Sequence, residues 1–136
     1  MRILFSSLLL LLLYSQAVLS QQEMTYAEKL GFPKGKKVVI FHVDDAGMSF
    51  ESNEGARKSI HEGVATSCSI MMPCPWAASF VKDAKIDAMD AGLHLTLTSE
   101  WKHYRWPPLA GKAAVPGLVD EEGAMWSSVA EVVANA

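Results

Sequence analysis

Cysteine and positive charge are both scarce in this sequence. Its 136 residues include two cysteines, and its 12 basic side chains are outnumbered by 15 acidic ones. Two thiols lack the spacing redundancy of a structural zinc site, which usually combines paired cysteine and histidine clusters. The acidic balance, with no basic stripe, argues against a nucleic-acid partner. No internal repeat or low-complexity tract is visible, and the length fits one small core.

Long apolar runs are absent apart from one near the N-terminus. Residues 1–20 combine a single positive charge at Arg2 with an unbroken leucine run, Leu8 to Leu13, and end in small or medium side chains. This pattern is typical of a secretory signal peptide, which we expect to be cleaved after Ser20. Because the run is too short for a membrane span, we expect a secreted or periplasmic protein with no stable span; an uncleaved anchor is the alternative.

Export makes a disulfide between Cys68 and Cys74 an option. Cys68 falls inside a predicted strand, and Cys74 follows six positions later, between two prolines. We weigh a disulfide against two small, buried and unpaired side chains, and we predict the unpaired side chains.

Predicted strands and helices alternate along the rest of the chain. The apolar residues of 37–43 fit a strand covered on both faces, and residues 91–98 alternate, with Leu93, Leu95 and Leu97 on one face. The full set is a strand over 37–43, a helix over 52–62 capped by Ser52 or Asn53, a strand over 64–72, a helix from Pro75 and a strand over 91–98. Strands separated by helices predict parallel βαβ units with right-handed crossovers.

Two adjacent carboxylates, Asp44 and Asp45, follow the first predicted strand. Reactive groups gather at the C-terminal ends of parallel strands, and His94 lies on the third predicted strand. Neighbouring carboxylates repel each other in a low-dielectric site, and a divalent cation relieves that repulsion. One aspartate can bind the cation while the other acts as a base, and a histidine is a suitable second ligand. The pattern therefore predicts a metal site with a base beside it.

An acidic pair after an apolar strand also occurs in receiver domains of two-component signalling. Those domains bind Mg²⁺ and accept a phosphoryl group on a third aspartate. The segment SCSIMMPCP, residues 67–75, would have to supply that aspartate and contains none. Predicted export also argues against phosphotransfer in the cytoplasm, so this alternative is disfavoured.

Four segments follow one another along the chain: HVDDAGMS (42–49), a helix with Asn53 and Gly55, HEGVATSCSIMMPCPWA (61–77) and GLHLTLTSEW (92–101). In this order they resemble the YdjC/ChbG-type carbohydrate deacetylases, relatives of the polysaccharide deacetylase superfamily. The resemblance covers residues 37 to about 134. Together with the predicted signal peptide (1–20), it divides the rest of the chain into a lead-in (21–36) and the N-terminal part of a YdjC-like deacetylase domain (37–136).

The resemblance implies a fold and an activity. The fold is a deformed TIM-like (β/α) barrel, of which this chain holds a part with parallel strands and alternating helices. The activity is metal-dependent removal of acetyl groups from N-acetylated sugars such as chitooligosaccharides. Asp44 matches the catalytic base, while Asp45 and His94 match ligands of a divalent metal ion, Mg²⁺ or Zn²⁺. The family usually has a bulkier residue at the position of Ala46.

One expected ligand has no counterpart here. In the family, a further histidine completes the metal site in the second half of a longer chain. His103 is the last histidine in this sequence and follows His94 by nine positions in a loop, so it does not match. A helix predicted from Ser128, with Glu131 completing a capping box, reaches Ala136 without a stop signal. We therefore expect an N-terminal fragment of a longer enzyme.

The loop after the third predicted strand, residues 99–111, concentrates aromatic and basic side chains. Trp101, Tyr104, Arg105 and Trp106 lie at the end of the expected barrel where substrate would arrive. Flat aromatic faces stack on sugar rings while their N–H and O–H groups find polar partners. This loop, which we call the aromatic loop, is our candidate sugar-binding platform. Ordinary packing of a long loop is the alternative.

Two other functional classes stay open. A non-catalytic carbohydrate-binding protein would keep the aromatic loop and tolerate an incomplete metal site. A metal-dependent hydrolase of another bond would keep Asp44, Asp45 and His94. The expected partner is an acetylated oligosaccharide, and the sequence leaves oligomerisation open.

Overall fold

The computed structural model describes residues 23–136. These residues belong to two compact units, one ending at Val39 and one running from Ile40 to Ala136. The predicted signal peptide, residues 1–20, lies outside the described residues. Across residues 23–136, no helix is long and apolar enough to cross a membrane.

The described part of the first unit contains one short helix, α1 (Tyr26–Lys29), with no buried residue. The Thr25 hydroxyl accepts the N–H of Glu28, and the Glu28 carboxylate accepts the N–H of Thr25. The other carboxylate oxygen of Glu28 accepts the N–H of Gly35 at 3.0 Å. Local polar contacts, a reciprocal capping box among them, therefore hold this helix.

The second unit is built on a parallel sheet. Its elements are β1 (His42–Ala46), α2 (Phe50–His61), β2 (Ser67–Ile70), α3 (Ala77–Ile86), β3 (Ala91–Leu93), a 3-10 turn (Pro116–Leu118) and α4 (Val129–Asn135). The strands lie in the order β1-β2-β3, with His42 opposite Ser67 and Cys68 opposite Ala91. A helix connects each strand to the next, so the predicted parallel βαβ units are confirmed. The described sheet is open, and closure into a barrel stays a prediction.

The core of the second unit lies between the sheet and the helices α2 and α3. Phe80 of α3 is fully buried and is the largest side chain there. The cluster is Ala46, Ala56, Cys68, Ile70, Ala77, Phe80 and Ala84. Cys68 and Cys74 are both buried and unpaired, as predicted. Burial raises the pKa of each thiol.

The first strand differs from its prediction. β1 begins at His42, and residues 38–41 lie outside the strand with exposed apolar side chains. Because β2 begins only at Ser67, which pairs with His42, the earlier residues have no strand opposite them in the described chain. The prediction that 37–43 is covered on both faces is therefore wrong: an apolar run is buried only where a partner strand and a covering layer are present.

Helix α2 begins earlier than predicted, and β3 is shorter. Ser49 is the N-cap of α2, because its backbone is extended and its hydroxyl accepts the N–H of Ser52 at 3.1 Å. The predicted caps, Ser52 and Asn53, lie inside the helix. β3 ends at Leu93, although residues 94–98 keep the predicted alternation of exposed and partly buried side chains.

The predicted helix after Ser128 is confirmed as α4. The Ser128 hydroxyl accepts the N–H of Glu131 at 3.3 Å. The Glu131 carboxylate accepts the hydroxyls of Ser127 and Ser128, so the second half of the predicted capping box is replaced by hydroxyl contacts. Val129 and Val133 of this helix are exposed.

Candidate catalytic and metal site

The acidic pair lies in an irregular stretch of β1. Val43 pairs with Cys68 and Ala46 pairs with Ile70, so β1 contains one more residue than β2 between these pairs. Asp45 takes a φ of 61° within this bulge. Aspartate is one of the few residues besides glycine that tolerate the left-handed region. Bulges of this kind re-aim side chains, and here the bulge contains both aspartates.

The last two residues of β1 and the two residues after them, which we call the acidic turn (residues 45–48), pack tightly on their surroundings. Gly47 has a φ of 90°, and a Cβ placed on it would lie 2.9 Å from Ala77 Cα and 3.2 Å from Ile70 Cγ2. A larger residue at this position therefore meets both a strained backbone and a steric clash. The Gly47 N–H donates to Asn53 Oδ1 at 2.7 Å in a buried environment.

Asp44 is fixed at one carboxylate oxygen and open to solvent elsewhere. Ser69 Oγ donates to Asp44 Oδ1 at 2.9 Å, and His42 Nε2 lies 3.6 Å from the same oxygen. The His42 ring is fixed in turn by Ser67 Oγ, 2.7 Å from Nδ1. The Asp44 side chain is 67% exposed. An oriented and accessible carboxylate of this kind can accept a proton from a bound water or substrate.

Asp45 and His94 meet across the sheet. Asp45 Oδ1 lies 3.5 Å from His94 Nδ1, and the Asp45 N–H lies 3.4 Å from the same ring nitrogen. Ser69 Oγ is 3.3 Å from His94 Nδ1, so this one serine contacts both Asp44 and His94. The fold therefore brings together the three residues that the sequence singled out, with Ser69 at their centre.

Asp45 and His94 offer donor atoms of the kinds that bind divalent metal ions. A carboxylate oxygen and an imidazole nitrogen are ligands that suit Zn²⁺ and related divalent ions, and Asp45 and His94 present both within 3.5 Å. Within residues 23–136, no group of three or more histidine, cysteine, aspartate or glutamate side chains is close enough to hold a metal ion. The pair fits two positions of a coordination sphere.

One residue of the aromatic loop, Tyr104, contacts the acidic turn, and Trp101 packs on Tyr104. Trp101 is 44% exposed, and its ring centroid is 6.1 Å from that of Tyr104. The Tyr104 hydroxyl donates to the carbonyl of Met48 in the acidic turn. Burial, and then the neighbouring Cys74 thiol, raise the pKa of Tyr104 to about 12. Trp101 thus offers a ring to solvent, while the Tyr104 hydroxyl points into the protein.

The other two residues of the predicted platform face inward. Arg105 donates to Asp120 at 2.8 Å and to the carbonyl of Met125 at 2.6 Å. Trp106 is 3% exposed and packs with Met71, Cys74 and Met125. Both side chains therefore stabilise the loop, which agrees with ordinary loop packing, the alternative to a sugar-binding platform. Of the four predicted platform residues, Trp101 is the one with its ring in solvent.

An open, largely apolar groove adjoins His94. Its walls include Leu95, Leu97, Leu109 and Met125. His103, which we expected to lie outside the metal site, is exposed in the following loop. The groove gives a ligand access to His94 from the side of the aromatic loop.

Two residues of the site, Ser69 and Asn53, are not predicted by the sequence to belong to it. Ser69 falls inside a predicted strand, and Asn53 is a predicted helix cap. Alternation along β2 could have identified Ser69, because Ser67 and Ser69 share a face of the strand that leads toward the acidic pair. No local pattern predicts the contact between Asn53 and Gly47, which depends on the turn conformation.

A comparison with models of protein families identifies the family of this chain. The model of the YdjC-like protein family matches residues 38–136. The chain belongs to the YdjC-like protein family. This membership confirms the resemblance carried by the motifs around Asp44, Asn53 and His94.

Two curated relatives of this YdjC-like chain are named carbohydrate deacetylase. The protein from Thermus thermophilus is 38% identical over 86 residues, which are 63% of this chain and 28% of the relative. The protein from Enterococcus faecalis is 32% identical over 92 residues, 66% of this chain and 34% of the relative. The chain thus spans about a third of the length of these relatives.

A solved structure shares the fold. It is an Enterococcus faecalis V583 protein whose suggested activity is cellobiose-phosphate cleavage, with a TM-score of 0.57 and 28% identity. The match covers 71% of this chain and 39% of that protein. The arrangement of strands and helices described above is therefore part of a larger α/β fold in this relative.

Proposed function

We propose that this YdjC-like chain carries part of the active site of a secreted or periplasmic, metal-dependent hydrolase that removes acetyl groups from N-acetylated sugars such as chitooligosaccharides. The observation that carries the proposal is the convergence of Asp44, Asp45 and His94 around Ser69. Family membership and two relatives named carbohydrate deacetylase support the choice of reaction and substrate class.

Asp45 and His94 would hold the metal ion, Mg²⁺ or Zn²⁺. Their donor atoms, Oδ1 and Nδ1, lie 3.5 Å apart and leave further coordination positions to groups outside this pair. When bound, a divalent cation supplies a Lewis acid that polarises the acetyl carbonyl and lowers the pKa of water. The orientation of both side chains by the bulge of β1 and by Ser69 prepares the pair for that role.

Asp44 would act as the general base. Ser69 holds Oδ1 of its carboxylate, and the side chain is 67% exposed, so Oδ2 would accept a proton from the attacking water. Its neighbour Asp45 is committed to His94, so the two adjacent carboxylates have different tasks. This division of labour explains why the sequence carries two aspartates in succession.

The sugar would lie in the groove beside His94. Leu95, Leu97 and Leu109 supply apolar walls, and Trp101 supplies an exposed aromatic ring at the adjoining loop. Apolar faces of sugar rings stack on such surfaces. Of the four residues that the sequence offered for this role, we retain Trp101 as the one that touches substrate.

Hydrolysis of another bond in a sugar is the second candidate. The structural relative with a suggested cellobiose-phosphate cleavage activity favours it, because that protein shares the fold at 28% identity. The same base and ligands would serve this chemistry, so the two candidates differ in substrate and not in the site.

Acetate release from N-acetylglucosamine oligomers, with and without Zn²⁺ or Mg²⁺, tests the proposal. We would compare this chain with the longest reading frame that its source DNA encodes. Acetate release that depends on added metal, in either protein, supports the proposal. Metal binding with no acetate release, but with release of phosphate or glucose from cellobiose phosphate, would replace it with the second candidate.

Three isosteric or truncating variants separate the assigned roles. Asp44→Asn should retain bound metal and lose turnover by about 10²-fold or more, because it removes the base. Asp45→Asn and His94→Ala should lose metal. Asp45→Asn is preferred to alanine at that position because asparagine also tolerates a positive φ. Asp87→Asn, on an exposed carboxylate paired with His61, is the matched control and should retain both properties.

A further inference from the structure

The acidic turn is hydrogen-bonded along its whole length. Three backbone contacts hold it: Met48 N–H to Asp45 O at 3.3 Å, Met71 N–H to Ala46 O at 2.8 Å and Trp76 N–H to Gly47 O at 3.1 Å. Two side chains complete the set, one from α2 and one from the aromatic loop. They are Asn53, which accepts the N–H of Gly47, and Tyr104, which donates to the carbonyl of Met48.

Asn53 is a buried amide with both ends occupied. It is 2% exposed, and besides accepting from Gly47 it donates through Nδ2 to the carbonyl of Trp76 at 3.2 Å. Burying an amide inside a helix face is costly unless its donors and acceptors are paired. Asn53 therefore joins the turn after β1 to the loop before α3, which a buried apolar residue could not do.

Tyr104 holds the opposite end of the turn. Its hydroxyl donates to the Met48 carbonyl, and its ring packs against Trp101 and Trp106 at centroid distances of 6.1 and 5.8 Å. The inward direction of the hydroxyl takes it away from the solvent side, where a sugar hydroxyl would meet it. This geometry differs from the substrate contact that the sequence indicated for Tyr104.

These contacts surround Asp45, whose backbone conformation is strained. A positive φ at a residue other than glycine costs about 1–2 kcal/mol and persists where the surrounding structure over-determines it. At Asp45, where φ is 61°, the carboxylate Oδ1 lies 3.5 Å from His94 Nδ1, so the turn brings the two proposed donor atoms together.

We propose that Asn53 and Tyr104 are positioning residues, which clamp the acidic turn so that Asp45 and His94 are pre-organised to share one divalent cation. The inference rests on the proposed metal-dependent function and adds two residues that touch neither substrate nor metal. It also gives Tyr104 a role that its ring alone does not provide, because the clamp needs the hydroxyl.

Amide hydrogen exchange, measured by NMR on the metal-free 136-residue chain, tests the clamp itself. In Tyr104→Phe and in Asn53→Ala, exchange at Gly47 and Trp76 should accelerate at least about tenfold, while core amides of α3 keep their rates. Tyr26→Phe removes the same hydroxyl from an exposed tyrosine of α1 and is the matched control. Unchanged exchange in both variants would overturn the clamp. Should Asn53→Ala fail to fold, Tyr104→Phe decides the outcome.

Affinity for Co²⁺ alone, followed by its visible absorption in the longest encoded protein, tests the positioning role. Tyr104→Phe keeps the aromatic face, so a sugar platform predicts unchanged Co²⁺ affinity, whereas the clamp predicts affinity about 10-fold weaker. Faster exchange with unchanged Co²⁺ affinity would overturn the positioning role. If the unsubstituted protein binds no Co²⁺, the proposed metal-dependent function and the positioning role both fail, and the exchange data still decide whether the clamp exists.

Discussion

The acidic turn and the leucine segment (residues 93–97) lie at the ends of β1 and β3 in one sheet, yet the turn is largely buried and the leucine segment is exposed. The turn is buried at Ala46 and Gly47 and is bonded by the β2–α3 loop, α2 and the aromatic loop. The segment exposes Leu93, Leu95 and Leu97 by 54–83%. Composition alone would assign the burial the other way round. Burial follows from which elements lie opposite a residue, and the leucine segment faces no such element among the described residues.

Substitution of Gly47 is the sharpest test of how tightly the acidic turn is packed. Gly47→Ala should lower the free energy of unfolding by about 2–4 kcal/mol, because alanine meets both the positive φ and the contact with Ala77. Gly55→Ala is the matched control, since a Cβ on Gly55 in α2 meets nothing within 4 Å. That variant should gain about 0.5–1 kcal/mol from helix propensity. Urea unfolding measures both, and equal effects would contradict the packing described for the turn.

Arg105 allows the same test in the aromatic loop, which follows the leucine segment along the chain. Its guanidinium bonds Asp120, the carbonyl of Met125 and Ser99 Oγ, with about a quarter of the side chain exposed. Arg105→Met removes a donor from each of these acceptors and leaves the partly buried Asp120 carboxylate without its cation, which should cost about 1–3 kcal/mol. Arg57→Met, which removes a more exposed pair with Asp83, should cost about 1 kcal/mol or less. A loss at Arg105 no larger than that at Arg57 would favour a role in binding substrate over a role in folding the loop.

Much of the fold was predictable because its signals are local. The apolar run that contains His42 and Val43, the helical spacing of Phe80 and Ala84, and the order of elements fixed the parallel βαβ units. The meeting of Asp45 with His94 also followed, since both were placed on strands of one parallel sheet.

The remaining features depend on contacts that no local pattern contains. The inward direction of Arg105 and Trp106 is set by Asp120 and Met125, which lie far along the chain. Likewise, the role of Asn53 depends on the conformation of Gly47. An exposed aromatic or basic cluster and a buried one have the same composition, so only the tertiary partners distinguish them.

Tyr104, which contacts the acidic turn through Met48, makes the free energy of unfolding depend on pH. Its pKa of about 12 in the folded chain lies above the ordinary value of 10, so the unfolded chain loses the phenol proton first as the pH rises. The contribution of Tyr104 to the free energy of unfolding is therefore fully present below about pH 10 and is lost between about pH 10 and 12. The wild-type chain should show a steeper decline than Tyr104→Phe over that interval in urea unfolding. Identical declines would mean that the hydroxyl is solvated.

The smallest effect is expected in the leucine segment. Leu95 is 83% exposed, so Leu95→Ala should change the free energy of unfolding of this chain by no more than about 0.5 kcal/mol. Ile70 of β2, 6% exposed beneath the acidic turn, is the matched contrast, and Ile70→Ala should cost about 2–5 kcal/mol. Because both substitutions truncate a branched aliphatic side chain to alanine, the ratio of their effects measures how unequally the two regions are covered. A cost at Leu95 close to that at Ile70 would mean that the leucine segment is buried in solution.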